Sequence, residues 1–166
     1  MRSLDIVLEI GGISLDEITK AALAKKKNDW FVDYVNSMKP EEIFSGVKEL
    51  LVKLRKRGLK VGLASSSKNA KTVIKRIKIG NEFDAIVDGT MITNSKPDPE
   101  IFLLTASLLH TSPYECVVFE DAKAGVEAAR NAGMRSVGVG SARQLGKANL
   151  VISRTGDFNV ELLESL

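Results

Sequence analysis

The stretch Cys116-Val117-Val118-Phe119-Glu120-Asp121 decides how this chain is interpreted. Its four apolar residues predict a short buried strand, and the sequence from Ala122 onward has the pattern of a helix. Two adjacent carboxylates at the end of an apolar strand are costly to bury unless they bind a cation or hydrogen-bond donors. The stretch therefore predicts a strand that ends in a polar functional site.

Two stretches further upstream carry polar groups that complement these carboxylates. A strand-like run at 59–64 ends in Ser65-Ser66-Ser67-Lys68-Asn69, and a later loop contains Asn94-Ser95-Lys96-Pro97. Hydroxyl and backbone N–H groups at the start of a helix bind anions, and an ammonium group acts as a point charge on phosphate. Together with the carboxylates, these groups predict a site that holds a phosphoryl group beside Mg²⁺.

Strands and helices alternate regularly from about residue 44 onward. The apolar patterns predict strands at 59–64, 83–87, 116–119, 135–139 and 149–152, and helices at 47–56, 68–77, 97–109, 122–131 and 160–166. This alternation favours an α/β fold with a right-handed parallel sheet. The polar loops then lie at the carboxyl ends of the strands, where open α/β sheets bind ligands.

Residues 1–40 have a different pattern, which predicts one or two helices of a small subdomain. The segment 4–10 is ambiguous, since its apolar residues fit both a helical stripe and a strand. We favour a helix. The alternative makes 4–10 a substitute central strand with Asp5 near the site.

The composition is that of an ordinary globular protein, with 166 residues, 44% apolar, 27% charged and a net charge of +3. Only 5% of the residues are aromatic and the lysines are spread along the chain, so nucleic-acid binding is not expected. No apolar run reaches the roughly 18 residues of a membrane span, and we expect no membrane association. The single cysteine, Cys116, suits a reducing compartment, so we expect a cytoplasmic protein.

The motifs together resemble those of the haloacid dehalogenase superfamily and, within it, the β-phosphoglucomutase branch. The resemblance covers nearly the whole chain, through Leu63-Ala64-Ser65-Ser66-Ser67-Lys68-Asn69, Phe83-Asp84-Ala85-Ile86, Ser95-Lys96-Pro97, Glu120-Asp121 with Ala124-Gly125, and Gly138-Val139-Gly140. It implies a three-layer, Rossmann-like parallel sheet with a partial helical cap at the N-terminus. The implied domains are a cap at 1–40 and a phosphotransferase core at 41–166 that lacks its first strand.

The resemblance also implies a role for each motif residue. Ser65, the backbone at Ser66 and Lys96 would receive the transferring phosphoryl group, and Glu120 and Asp121 would bind Mg²⁺. The non-reacting phosphate of the substrate would be held by Ser67, Lys68 and Asn69. Lys27 of the cap would reach the substrate. The implied reaction interconverts β-glucose 1-phosphate and glucose 6-phosphate through an aspartyl-phosphate. The implied partner is therefore a phosphorylated sugar.

The chain departs from the family pattern at the nucleophile. In the family an N-terminal strand ends in Asp-x-Asp, whose first Asp forms the aspartyl-phosphate and whose second acts as general acid and base. The first aspartate here is Asp5, in a segment that resembles a cap helix. One hypothesis is a mutase sequence that lacks turnover in this form. The alternatives are a non-catalytic protein that binds phosphate or sugar phosphates, and a relative of the sugar-phosphate phosphatases.

In the family, the strand that carries Asp-x-Asp lies between the strand ending at Ala64 and the strand ending at Phe119. Without it, we expect the two flanking strands to close together, the segment 4–10 to fill the gap, or a second chain to donate a strand, because open edges recruit partners. Since 4–10 has a helical pattern, we favour a closed-up sheet or self-association.

Overall fold

Two helices form the N-terminal part of the chain, α1 (Arg2–Ile10) and α2 (Glu17–Ser37). The Asp16 carboxylate caps α2, because it accepts a hydrogen bond from the backbone N–H of Thr19 at 2.9 Å. α1 confirms the prediction of a helix at 4–10, and the alternative of a substitute central strand is wrong.

The computed structural model describes residues 2–166, with side chains from residue 4 onward. The chain divides into two units, Met1–Met38 and Lys39–Leu166, and each is described by itself. None of the helices in this described part is both long and apolar enough to span a membrane.

The C-terminal unit alternates helices and strands in the predicted order. Its elements are α3 (Val47–Lys56), β1 (Gly62–Ala64), α4 (Ala70–Arg76), β2 (Ala85–Val87), α5 (Glu100–Leu108), β3 (Val117–Glu120), α6 (Lys123–Asn131), β4 (Arg135–Val139), α7 (Ala142–Leu145) and β5 (Leu150–Ile152). Several strands are shorter than their apolar runs, because only residues in register with a neighbour belong to the ladder. The short helix α7 was not predicted.

The C-terminal segment also differs from its prediction. We predicted an α-helix at 160–166, but Val160–Ser165 forms a 3-10 helix. Val160, Leu163 and Leu166 all contact the core cluster that contains Val137. These residues recur every third position, and side chains three apart lie on one face of a 3-10 helix, so Val160 is buried and Leu163 packs beside it, with Leu166 following directly after the helix.

All strand pairs are parallel, as predicted, but the strands form two sheets. β1 pairs with β2, and β3, β4 and β5 form the second sheet in that order. Within residues 2–166, no ladder joins β1 to β3. The expected closing-up of the flanking strands therefore does not occur, and β1 and β3 each keep an open edge.

Apolar side chains cover both faces of the strands. One cluster buries Val87 of β2 and Val118 of β3 with Ile101 of α5. A second cluster, on alternate residues, buries Val137 of β4 with Leu50 of α3. Because helices cover strands whose residues face both ways, the α/β class with layered helices is confirmed.

Candidate active site

An ion pair between Lys96 and Glu120 is the centre of the site. Lys96 lies in the loop between β2 and α5, and Glu120 is the last residue of β3. Nζ of Lys96 donates a hydrogen bond to Oε1 of Glu120, and the two side chains are only 16% and 9% exposed. Charges sheltered from water interact strongly, so the pair ties the end of β3 to the loop that follows β2.

The remaining contacts of Glu120 hold its carboxylate in one orientation. Oε2 accepts hydrogen bonds from the backbone N–H groups of Asp121 at 3.0 Å and Ala122 at 3.1 Å, just before α6 begins. Gly125 of α6 packs directly against the carboxylate, since a Cβ there would lie 2.0 Å from Oε1. The glycine is required by this close approach.

The serine loop after β1 is fixed against the end of β2. The backbone N–H of Ser65 donates to the carbonyl oxygen of Val87 at 3.0 Å, and the N–H of Gly89 donates to the carbonyl of Ser67 at 3.2 Å. Within the loop, Oγ of Ser65 accepts from the N–H of Ser67, and Oγ of Ser67 accepts from the N–H of Asn69, both at 3.2 Å. The hydroxyls thus order the loop before α4, and the Ser65 hydroxyl proton stays available to a ligand.

Asp88 directly follows β2, on the same side of the strands as the serine loop, and the sequence analysis did not identify it. Its side chain is buried, and its Oδ1 accepts from the N–H of Thr90 at 2.9 Å and from the Thr90 hydroxyl at 2.5 Å. Nζ of Lys71 lies 3.3 Å from Oδ2. The pKa of Asp88 lies below its ordinary value of 3.8, and the hydrogen bond from the Thr90 hydroxyl is the largest cause. The backbone N–H of Thr90 and the ammonium group of Lys71 lower this pKa further. A carboxylate after the apolar run 85–87 is the same signal that identified Glu120.

The lowered pKa of Asp88 predicts a loss of stability in acid. Since the folded-state pKa is below the unfolded-state pKa, the carboxylate contributes stability above about pH 4. That contribution is lost as the pH falls through the folded-state pKa. We expect Thr90→Val to lower the urea midpoint near neutral pH, and the difference from the unsubstituted chain to shrink as the pH falls below about 4. Thr90→Ser keeps the hydroxyl donor and serves as the control; equal effects of Val and Ser would contradict the assignment.

The structure places the other predicted site residues as follows. Ser66 and Lys68 are exposed in the serine loop, Asn69 immediately precedes α4, Asp121 is exposed beside Glu120, and Lys27 lies on α2 in the N-terminal unit. The roles assigned to all of these residues stay predictions.

Two loops, the one after β1 and the one after β2, lie at the carboxyl ends of the strands. The Ser65 loop is bonded to the end of β2, and the Lys96 loop follows β2 and reaches the end of β3. This is the side on which open α/β sheets bind ligands. A hydroxyl, backbone N–H groups and an ammonium group at such an edge can bind an anion such as phosphate.

The two carboxylates do not by themselves make a complete Mg²⁺ site. Among the side chains described, no group of three or more His, Cys, Asp or Glu residues is arranged to hold a metal ion. Glu120 is already engaged by Lys96 and by two backbone donors, which leaves the exposed Asp121 as the accessible carboxylate. Mg²⁺ prefers about six oxygen ligands, so further ligands would have to come from outside these residues.

Comparison with known proteins identifies the relatives of this chain. The chain is 40% identical over 163 residues to the β-phosphoglucomutase of Bacillus subtilis (strain 168), an alignment that covers 97% of this chain and 72% of that protein. It is 33% identical over 139 residues to a fructose-1-phosphate phosphatase of Escherichia coli (strain K12), over 83% of this chain and 71% of the relative. Both alignments leave more than a quarter of the relative unmatched.

A solved structure resembles the whole described fold. The crystal structure of β-phosphoglucomutase from Clostridium difficile superposes with a TM-score of 0.88 at 38% identity, covering 99% of this chain and 74% of that one. Residues 3–139 match the model of the haloacid dehalogenase-like hydrolases. The resemblance expected from the sequence is confirmed, and the chain belongs to the haloacid dehalogenase-like hydrolase family.

Proposed function

We propose that this chain carries the phosphate-binding edge of a sugar-phosphate mutase of the β-phosphoglucomutase kind. Its substrates would be β-glucose 1-phosphate and glucose 6-phosphate, exchanged through an aspartyl-phosphate, in a cytoplasmic and Mg²⁺-dependent enzyme. The 166-residue chain by itself is expected to lack turnover, because it contains no Asp-x-Asp at the end of a strand.

The observations that carry the proposal are the sheltered Lys96–Glu120 pair at the end of β3 and the ordered Ser65 loop, which is bonded to the end of β2. In the proposed site the Lys96 ammonium neutralises charge on the phosphoryl oxygens, and Glu120 keeps that ammonium in place. The Ser65 hydroxyl and the N–H of Ser66 donate hydrogen bonds to the same oxygens. The reaction needs donors arranged around the transferred group, and these residues supply a fixed set.

Two measurements on the purified chain test the proposal. Isothermal titration with β-glucose 1-phosphate should detect weak binding, with a Kd of about 1 mM. A coupled assay for glucose 6-phosphate should show turnover at least about a thousandfold below the ordinary 1 s⁻¹. Turnover at ordinary enzyme rates would show that another residue supplies the nucleophile, and undetectable binding would refute the phosphate site.

A serine pair provides the matched control for the binding measurement. Ser65→Ala removes a hydroxyl at the carboxyl end of β1 and should weaken binding about tenfold, as expected for one hydrogen bond to a charged group. Ser107 is an exposed serine of α5, and Ser107→Ala should leave binding unchanged. Equal effects of the two substitutions would place the ligand elsewhere.

A non-catalytic protein that binds phosphate or sugar phosphates is the second candidate, supported by the same donors without a nucleophile. The two candidates make different predictions about the N-terminal sequence of the natural protein. Mass spectrometry of its N-terminus that finds Asp-x-Asp upstream of the present Met1 supports the mutase, whereas a natural start at Met1 supports the binding protein. Release of inorganic phosphate in place of isomerisation by the longer form would favour a phosphatase, as in the Escherichia coli relative.

A further inference from the structure

The Asp88 turn, formed by residues 88–90 after β2, makes a close backbone contact with the serine loop. The N–H of Gly89 donates to the carbonyl oxygen of Ser67 at 3.2 Å. A Cβ on Gly89 would lie 2.2 Å from the carbonyl oxygen of Ser66 and 3.2 Å from the backbone nitrogen of Lys68. The two backbones therefore approach this closely only because residue 89 has no side chain.

This contact sets the direction of an N–H group in the serine loop. The peptide bond between Ser67 and Lys68 is trans, so its C=O and N–H groups point in opposite directions. Because the carbonyl is bonded to Gly89, the N–H of Lys68 points away from the Asp88 turn. Among the hydrogen bonds of residues 2–166, neither this N–H nor that of Ser66 has an acceptor. Both are available to an anion, which neighbouring backbone N–H groups bind well.

The carboxylate of Asp88 holds the turn in place. Its side chain is buried, and Oδ1 accepts hydrogen bonds from the N–H and the hydroxyl of Thr90, which close the turn. Oδ2 lies 3.3 Å from Nζ of Lys71, which belongs to the first turn of α4. Since α4 directly follows the serine loop, this one carboxylate links the turn on one side of the loop to the helix on the other.

We propose that Asp88 and Gly89 are positioning residues for phosphate binding, which hold the N–H groups of Ser66 and Lys68 in place before the ligand arrives. Neither positioning residue touches the ligand. The inference deepens the proposed function and rests on its phosphate site. When the Ser67 carbonyl is already held, the loop loses little backbone freedom on binding. Without that restraint the ligand itself must order the loop, and the affinity falls.

A purely structural role of Asp88 makes a different prediction, namely a loss of stability with unchanged affinity for phosphate. Asp84 supplies the matched control, because it precedes β2 as Asp88 follows it. Its carboxylate also accepts from a backbone N–H, that of Val61 at 2.8 Å, and pairs with Arg55 at 3.3 Å. Asp84→Ala therefore removes bonds of the same kind at the opposite end of the strand, away from the serine loop.

The affinity for β-glucose 1-phosphate, measured by amide chemical-shift titration of the isotope-labelled chain, tests the inference. We expect Asp88→Ala and Gly89→Ala each to weaken binding about tenfold, and Asp84→Ala to change it less than about twofold. Asp88→Asn keeps an oxygen acceptor for Thr90 and should recover part of the loss. Gly80→Ala is the glycine control, since its Cβ would make only an ordinary contact at 3.5 Å, and it should leave the affinity unchanged.

The same spectra without ligand report on the loop directly. The amide resonances of Ser66 and Lys68 should shift in Asp88→Ala and in Gly89→Ala, and stay in place in Asp84→Ala. Urea unfolding measures the stability of each variant separately. If Asp88→Ala does not fold, Gly89→Ala and Asp88→Asn decide the question.

Three outcomes would overturn the inference. Unchanged affinity in folded Asp88→Ala or Gly89→Ala overturns it and leaves the proposed phosphate site standing. Equal losses of affinity in Asp88→Ala and Asp84→Ala overturn it as well, because a general loss of stability would then explain both. Absence of binding by the unsubstituted chain refutes the phosphate site itself, and the inference falls with it.

Discussion

Replacement of Lys96 by Met is expected to lower the free energy of unfolding by about 3 kcal/mol. The substitution keeps an unbranched side chain of similar length but removes the ammonium group. The Glu120 side chain, only 9% exposed, then keeps two backbone donors and loses its cation. A buried charge without its partner is costly, and urea unfolding followed by circular dichroism measures the loss.

Two further variants separate this effect from an ordinary loss of charge. Glu120→Gln in the Lys96→Met background should recover much of the loss, because the unpaired carboxylate is gone. Lys147 forms a comparable but exposed pair with Glu127 at 3.5 Å, and Lys147→Met should cost less than about 1 kcal/mol. Equal losses for Lys96→Met and Lys147→Met would show that burial does not strengthen the first pair.

Replacement of Gly125 by Ala is expected to destabilise the protein by about 2–3 kcal/mol, although Ala normally favours a helix over Gly by about 1 kcal/mol. The added Cβ would lie 2.0 Å from the Glu120 carboxylate, so either α6 or the ion pair must move. Thermal or urea unfolding shows directly whether Gly125→Ala lowers or raises the stability of the protein. A more stable Gly125→Ala variant would contradict the close approach.

Gly80 provides the matched control for this substitution. A Cβ at Gly80 would lie 3.5 Å from Ile74, an ordinary contact, so Gly80→Ala should change stability by less than about 0.5 kcal/mol. In a Glu120→Ala background the space beside Gly125 is open, and the cost of Gly125→Ala should fall. An unchanged cost would mean that the clash involves another neighbour.

Apart from α7, the helix and strand order of residues 44–152 could be predicted because it depends on local patterns. Apolar spacing located α3 at its observed bounds, and it gave the helical character of 4–10. The 3-10 helix at Val160–Ser165 could not be predicted in the same way. Its apolar residues three apart favour that form only because the cluster around Val137 is there to receive them.

The sequence by itself determined the polar residues at the strand ends, because a carboxylate or hydroxyl after an apolar run has a local cost that only a site or a cap offsets. Only the tertiary structure decided which of them interact. Lys96 and Glu120 are separated by 24 positions, and their pairing depends on the packing of β2 and β3 on one core. The split into two sheets likewise has no local signal, since it depends on which strand edges meet across the core.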